Sequence, residues 1–294
     1  MPLACVFLRM VGKSNLFPRK LRSMLIRQVV GEEGRCEDYA VDTRLYGKKF
    51  IGSTRSHIDW AVYFFGVYDP LGTTLLRHLA RQIPGAVYMD VGANVGTHML
   101  AVSEYCKQLH CFEPYPRALE SLERHVAIND LTQANVHKFG LSDSNVVMDY
   151  YENSTQNFGA GSFEKDHGNL AREAAYQLPL RVGDEVVDEL GIQRIDLIKI
   201  DVEGHELSVL RGLREKLVEH RPFVFWEFGP TTLGLLEDEA SFLSLFPEDY
   251  VVYGLTHRER WTRSKPKLTP FNYPELGNLL AVPVEKKGIL ERLF

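Results

Sequence analysis

From residue 86 onward, short apolar runs alternate with segments whose apolar residues recur every three to four positions. Ala86–Val91 reads as a strand and Thr97–Lys107 as an amphipathic helix. Leu109–Glu113 is a second strand, Pro116–Ile128 a helix, and Asn135–Leu141 a third strand. Ile195–Ile200 (IDLIKI) is a fourth, followed by a helix over Glu206–Glu219 and a fifth strand at Arg221–Phe228. Strands spaced by helical segments predict βαβ units and a largely parallel sheet, hence an α/β fold. The tail differs. Tyr250–Leu255 and Leu279–Val284 have no helical pattern between them, only a Pro-rich stretch around Lys265–Pro274. Two strands joined without a crossover helix pair antiparallel, so the sheet is expected to be mixed at one edge.

Two regions interrupt the alternation. Tyr150–Tyr176, rich in Asn, Gly, Ser and Phe, reads as an insertion or lid. Residues 1–85 hold a basic helix near Lys20–Val30, an extended portion, and an aromatic cluster (Trp60, Tyr63, Phe64, Phe65, Tyr68) of the kind that packs a core. A helix from about Leu71 to Gln82 leads into the first strand.

Composition narrows the function classes. The chain has 294 residues, 45% hydrophobic and 25% charged, with a net charge of −5. That is an ordinary globular composition able to bury a sizeable core, and it carries no global basic footprint for nucleic acid. The charge is unevenly placed. Residues 1–30 hold six basic residues (Arg9, Lys13, Arg19, Lys20, Arg22, Arg27) and no acid, leaving 28 basic and 39 acidic residues, −11, for the remainder. A basic start is read first as a solvated helix and second as a contact for an anionic surface. The apolar stretch Leu3–Met10 is too short to span a bilayer and shows no cleavage-site pattern. The four cysteines (Cys5, Cys36, Cys106, Cys111) show no zinc spacing, so free thiols in a cytoplasmic protein are expected.

The most informative segment is Asp90-Val91-Gly92-Ala93-Asn94-Val95-Gly96-Thr97, a strand ending in an acid, a tight turn and a helix start. Such turns serve nicotinamide, flavin and S-adenosylmethionine (SAM) sites alike. Charge separates them. A dinucleotide places its pyrophosphate at the helix N-terminus, where Asp90 would repel it, and the G-x-G-x-x-G spacing is absent. SAM carries a sulfonium and an ammonium, which an acid suits. Glu113, 23 residues after Asp90, stands where a carboxylate accepts both hydrogens of a ribose diol. Ser142-Asp143 follow the third strand, where a side-chain oxygen would meet an adenine amino group.

Taken together, Asp90–Gly96, Phe112-Glu113-Pro114 and Lys199-Ile200-Asp201-Val202-Glu203-Gly204-His205-Glu206 resemble the FkbM family of SAM-dependent methyltransferases. The lead-in Phe64–Pro70, with Asp69 in place of Glu, and Leu141-Ser142-Asp143 and Asn278-Leu279-Leu280 are similar as well, so the resemblance spans about residues 60–283. It implies a class I methyltransferase (Rossmann-like) fold, a seven-stranded, mostly parallel sheet with an antiparallel edge and helices on both faces. It also implies O-methyl transfer to a hydroxyl of a sugar, glycolipid or glycosylated natural product. By that resemblance Asp90, Gly92, Asn94 and Gly96 would hold the amino-acid end of SAM, Glu113 the ribose, and Ser142 and Asp143 the adenine. The corresponding division of the chain is a basic helical extension over 1–55 and a methyltransferase domain over 56–294.

An alcohol needs a general base before it attacks an activated methyl. Asp201, His205 and Glu227, at the ends of the fourth and fifth strands, are the candidates. Asp201 instead orienting SAM or capping the next helix, and Asp201 with Glu227 holding Mg²⁺, are alternatives that leave the metal question open. His57, Trp60, the Tyr150–Tyr176 segment and Trp261 are candidate walls for a glycan or small-molecule acceptor. Rival readings are a nicotinamide-dependent oxidoreductase, against which Asp90 and the glycine spacing argue, and a non-catalytic partner protein of the same fold, against which the retained acids argue. If the acceptor is lipid-linked, residues 1–30 would make peripheral contact with a membrane.

Overall fold

Ala86–Val91 is buried at every position, the continuous apolar run that a central parallel strand requires when both its faces are covered. The computed structural model describes residues 3–14, 17–31, 38–152, 161–163, 175–258 and 265–290. In chain order the elements are α1 (Leu3–Lys13), α2 (Arg19–Val30), β1 (Ala40–Leu45), β2 (Lys48–Ser53), α3 (His57–Phe65), α4 (Pro70–Gln82), β3 (Ala86–Val91) and α5 (Thr97–Val102). Then come β4 (Cys106–Phe112), α6 (Pro116–Ile128), β5 (Ala134–His137), β6 (Gly140–Ser142), β7 (Val146–Tyr150), β8 (Tyr176–Val182), α7 (Gly183–Glu189) and β9 (Leu197–Ile200). The last group is α8 (Glu206–Gly212), α9 (Arg214–His220), β10 (Phe223–Phe228), α10 (Pro230–Gly234), α11 (Glu239–Leu243), β11 (Tyr250–Arg258), β12 (Lys265–Pro270), β13 (Gly277–Pro283) and α12 (Lys287–Leu290).

The main sheet has the order β12-β11-β13-β10-β9-β3-β4-β5. Strands β3, β4, β5, β9 and β10 are parallel, and β13 runs antiparallel to both β10 and β11. This is the class I methyltransferase fold, with helices on both faces. Chain direction across the sheet reverses between β3 and β9, which opens a crevice at the carboxyl ends of those strands.

Several details depart from the pattern-based reading. The expected antiparallel edge is present but holds one strand more: the Pro-rich stretch forms an eighth strand, β12, which with β13 runs against the parallel set. Pro266 and Pro270 are tolerated there because an edge strand leaves one row of N–H groups unpaired. The expected third strand is two: β5 ends at His137, and β6 leaves to pair in parallel with β8 in a small separate sheet. The helix expected over Glu206–Glu219 breaks at Leu213. Gly212 passes so close to β6 that a Cβ there would stand 1.8 Å from Ser142 O. The helix expected to reach Lys107 ends at Val102, because β4 begins at Cys106.

The described parts of residues 1–55 contain a β-hairpin as well as two helices, and all of them contribute to one core. Ile26, Val41, Leu45 and Phe50 are buried with Trp60, Leu75 and Tyr88. Buried His125 of α6 ties the hairpin to the glycine turn. Its Nδ1 lies 2.7 Å from Val95 O, and its Nε2 accepts the Ile51 N–H at 3.1 Å. Burial holds this imidazole below its ordinary pKa, consistent with a neutral ring donating at one nitrogen and accepting at the other. Cys5, Cys106 and Cys111 are free and buried, while Cys36 lies outside the described residues.

Since Ile26 has no exposed surface, Ile26→Ala should cost about 2–5 kcal/mol in chemical denaturation of the whole chain. A loss under about 0.5 kcal/mol would mean that α2 folds as an appendage rather than with the core.

Candidate active site

The crevice is organised by one buried ammonium. Lys199 sits in β9 directly beside Asp90 of β3 in the parallel register, and both side chains are nearly inaccessible. Its Nζ donates to Gly92 O at 2.7 Å and lies 3.5 Å from Asp90 Oδ1 and 3.5 Å from Asp201 Oδ2. Burial alone would strip its proton. The carboxylates of Asp201, Asp90 and Glu113 outweigh that and hold the ammonium above its ordinary pKa.

Gly92 adopts φ 75°, and a Cβ there would stand 1.9 Å from Asp201 O, so only glycine lets the β3 turn pass under the end of β9. Every backbone N–H of the turn from 92 to 96 is already used inside the protein. Those of Gly92 and Ala93 donate to Phe112 O, and that of Gly96 to Ala93 O. Asn94 N–H donates to Glu113 Oε2 at 2.8 Å, and Val95 N–H to Asn94 Oδ1 at 2.9 Å. The turn therefore presents no free nest of amides to an anion.

Glu113, at the end of β4, is held at both oxygens, since Oε1 accepts the Tyr115 N–H at 2.9 Å. Burial pushes its carboxyl up to about 7, against the lowering effect of these two amides. It lines a cleft walled by the 91–94 turn, Tyr115, Leu141, Tyr150, Asp201 and Glu203. A second hollow adjoins it at Tyr68, Asp69, His98, Lys199, Asp201 and Glu227. Tyr68, His98, Lys199 and Asp201 belong to both.

The expected site residues thus separate. Gly92, Asn94 and Glu113 meet at the cleft, joined by Asp201 and His205. Asp90 is enclosed against Lys199 and does not line the cleft. Gly96, with φ 86°, caps α5 and faces Leu122 and Met99. Ser142 is buried, its hydroxyl 3.0 Å from His205 Nε2, while Asp143 is exposed beyond the strand; Gly140 and Leu141 line the cleft at that place instead. Trp60 is 1% exposed and packs on Phe64 and Phe65, so it is core rather than acceptor wall. His57 meets the edge of Tyr68. Trp261 and most of 150–176 lie outside the described residues, but Tyr150 and Phe163 reach the cleft.

Two residues of the block that carries the resemblance were given no part in the site from the sequence. Lys199 was hidden as one polar position in the run IDLIKI, although a lysine inside a wholly apolar strand is itself a signal of a buried partner. The other is Glu206. It accepts the N–H groups of Val202 and Gly204 at Oε1 and the Thr232 hydroxyl at Oε2, so it clamps the loop that carries Asp201 and Glu203. Glu203 itself sits at φ 54° and faces the cleft. Burial, Asp201 and Glu227 raise its carboxyl. Glu227 projects from the end of β10, and burial, Asp201 and Glu206 push it up to about 7. At Asp69, burial is outweighed by His98, whose Nε2 lies 3.3 Å away, and this carboxyl is held below its ordinary value. Among the described residues no three His, Cys, Asp or Glu side chains converge as a metal site.

Over residues 90–246, which take in the turn, Glu113 and the Lys199–Glu206 loop, the sequence matches the family described as the Methyltransferase FkbM domain. The chain belongs to the FkbM methyltransferase family. This FkbM-family chain is 29% identical over 209 residues to Methyltransferase sdnD of Sordaria araneosa, covering 59% of the present chain and 80% of the relative. It is 31% identical over 194 residues to 31-O-demethyl-FK506 methyltransferase FkbM of Streptomyces tacrolimicus, covering 56% and 74%. It is also 29% identical over 133 residues to hexuronic acid methyltransferase AglP of Haloferax volcanii, covering 45% and 51%. No helix among the described residues is long and apolar enough to cross a membrane.

Removing the ammonium tests the buried pair. Lys199→Met strands Asp90 in the interior and should cost about 3–5 kcal/mol in urea denaturation, whereas Lys199→Met with Asp90→Asn should recover most of that loss. Equal losses in the single and double variants would mean that Asp90 does not depend on Lys199.

Proposed function

We propose that this methyltransferase uses SAM and transfers its methyl group to a hydroxyl of a sugar or glycosylated acceptor. One observation carries the choice of cofactor: the glycine turn spends all five of its amides internally, and the crevice beside it is lined by acids. A dinucleotide pyrophosphate would meet no donors in that turn and would face Asp201 and Glu203. A sulfonium and an ammonium suit the same surface.

The residues present fit that donor. Glu113 is fixed by Asn94 and Tyr115 with lone pairs left over, which suits the paired hydroxyls of a ribose. Gly92, lacking a Cβ, leaves the turn open to close approach. Leu141 and Tyr115 supply apolar walls for a planar base. SAM, when bound, supplies a methyl group on a positively charged sulfur, so the protein needs to align an acceptor and take one proton. Alignment contributes up to roughly 7–11 kcal/mol in such reactions.

For the proton, Glu227 is the strongest of the three candidates. It is exposed to the adjoining hollow, and its raised carboxyl titrates close to neutrality, where a general base works best. His205 is engaged with Ser142 and its ring lies tilted against Phe163. Asp201 is drawn toward Lys199. Glu227 accepts the hydroxyl proton as that oxygen becomes the nucleophile, and Asp201 and Lys199 hold the floor of the site. The oxygen acceptor and the sugar are supported by two relatives, whose names state a demethylated oxygen position and a hexuronic acid substrate.

Incubation with methyl-labelled SAM and cell extract should yield a product heavier by one CH₂, with the label on a hydroxyl oxygen; a label on nitrogen or carbon would overturn the O-methyl assignment. The pH profile has a definite sign. Glu227 is protonated below about 7 and ionised above it, so turnover should rise with pH through about 7 and then level. Glu227→Gln should abolish that rise and lower turnover by about 10²–10⁴-fold with SAM affinity retained. Full turnover with the rise intact would remove Glu227 as the base. Glu113→Ala should instead weaken SAM binding by at least about tenfold, the loss of two charge-assisted bonds.

A further inference from the structure

Of the sixteen large apolar side chains that stand exposed among the described residues, eight lie between Val6 and Val29. In α1 they are Val6, Phe7 and Met10, with exposures of 47–63%. In α2 they are Leu21, Met24, Leu25 and Val29, with Phe17 at the turn between the helices. The spacings i, i+1 and i+4 in α1 and i, i+3, i+4 and i+8 in α2 place each set on one face. The opposite face of each helix is the one packed into the protein, through Cys5 and Leu8 in α1 and Arg22 and Ile26 in α2. Both helices therefore turn a second apolar face outward.

That outward face is bordered by cations. Arg9 and Lys13 of α1 and Lys20 and Arg27 of α2 sit at the edge of the apolar stripes, and the two helices contain no acid. Arg9 and Lys13 also line a shallow groove with Arg44, Lys49 and a single acid, Asp42, where Thr43 receives hydrogen bonds from both α1 cations. A second copy of the chain meeting this face about a two-fold axis would set these cations against themselves. With 11 and 12 residues the helices are too short to cross a bilayer. They have the form of helices lying in a membrane interface, apolar side chains toward the acyl chains and basic ones at the headgroups.

We propose that α1 and α2 dock the enzyme on the surface of an anionic phospholipid bilayer. This inference stands on the exposed face and its charges, independently of the reading of the methyl-transfer site. The two are adjacent nonetheless. Arg19 of α2 donates to Tyr68 O at 3.3 Å, and Tyr68 lines both hollows of the crevice, so docking would set the site close to the membrane surface.

Co-sedimentation of the full chain with vesicles tests it. The protein should pellet with vesicles of phosphatidylcholine and phosphatidylglycerol, weaken as salt is raised, and stay in solution with phosphatidylcholine alone. Lys20→Ala with Arg27→Ala should lower the partition coefficient about 25-fold, about fivefold per cation. Phe7→Ser with Met24→Ser, both at exposed positions, should lower it by at least about tenfold while the thermal melt is unchanged. Failure to pellet with the anionic vesicles, equal pelleting with neutral ones, or wild-type pelleting by both variants would overturn the proposal. So would a dimer in light scattering that Phe7→Ser with Met24→Ser converts to monomer without any vesicle binding.

Discussion

A single buried ammonium joins three parts of this structure that the chain supplies far apart. Lys199 stands between Asp90 and Asp201 and donates to the carbonyl of Gly92. A buried charge is tolerated only with compensating charges, and here the compensation comes from the ends of two adjacent parallel strands and the turn that follows one of them. The alternative arrangement, with Asp90 reaching out to a ligand, would leave Lys199 facing fewer acids in the interior. The ion pair therefore fixes where Asp90 acts. It shapes the floor of the crevice rather than its surface.

Because Lys199 draws Gly92 O inward, the turn closes on itself. Its amides turn to Phe112 O, Glu113 and the local turn rather than outward. This is the reverse of a phosphate cradle, which holds its amides open toward a ligand. On the far side of the crevice, Glu206 imposes a similar economy on the 202–204 loop by accepting two of its amides. The five turn amides and those of Val202 and Gly204 are spent within the protein, while the carboxylates of Asp201, Glu203 and Glu227 line the crevice. Burial first, and then their proximity to one another, lifts the Glu203 and Glu227 carboxyls out of the usual range.

Much of this was legible in the sequence because it depends on local patterns. The limits of β3 and α6 follow from a buried run and from Pro116 opening an amphipathic stretch, and Glu113 could be located as the acid closing the second strand. What was not legible depends on tertiary approach. The break at Leu213 arises where Gly212 meets Ser142 O, and the departure of β6 arises from its pairing with β8; neither partner is near in sequence. Asp90 was legible as a strand-end acid, but its burial against Lys199 was not, since nothing local shows that the two lie side by side. Ser142 and Asp143 were expected to flank a base, whereas the strand's alternation turns Ser142 to His205 and leaves Asp143 in solvent.

The basic start, which net charge alone presented as a solvated helix, is packed on one face and apolar on another. It joins the same core as the crevice, so the outward apolar face of α1 and α2 and the crevice belong to one folded unit. The proposed choice of a cationic donor such as SAM rests on the crevice, where a turn without free amides stands beside a set of acids. Isothermal calorimetry of the full chain against SAM and against NADH measures that selection directly. Saturable heat with SAM and none with NADH is the predicted result; saturable heat with NADH and none with SAM would contradict it.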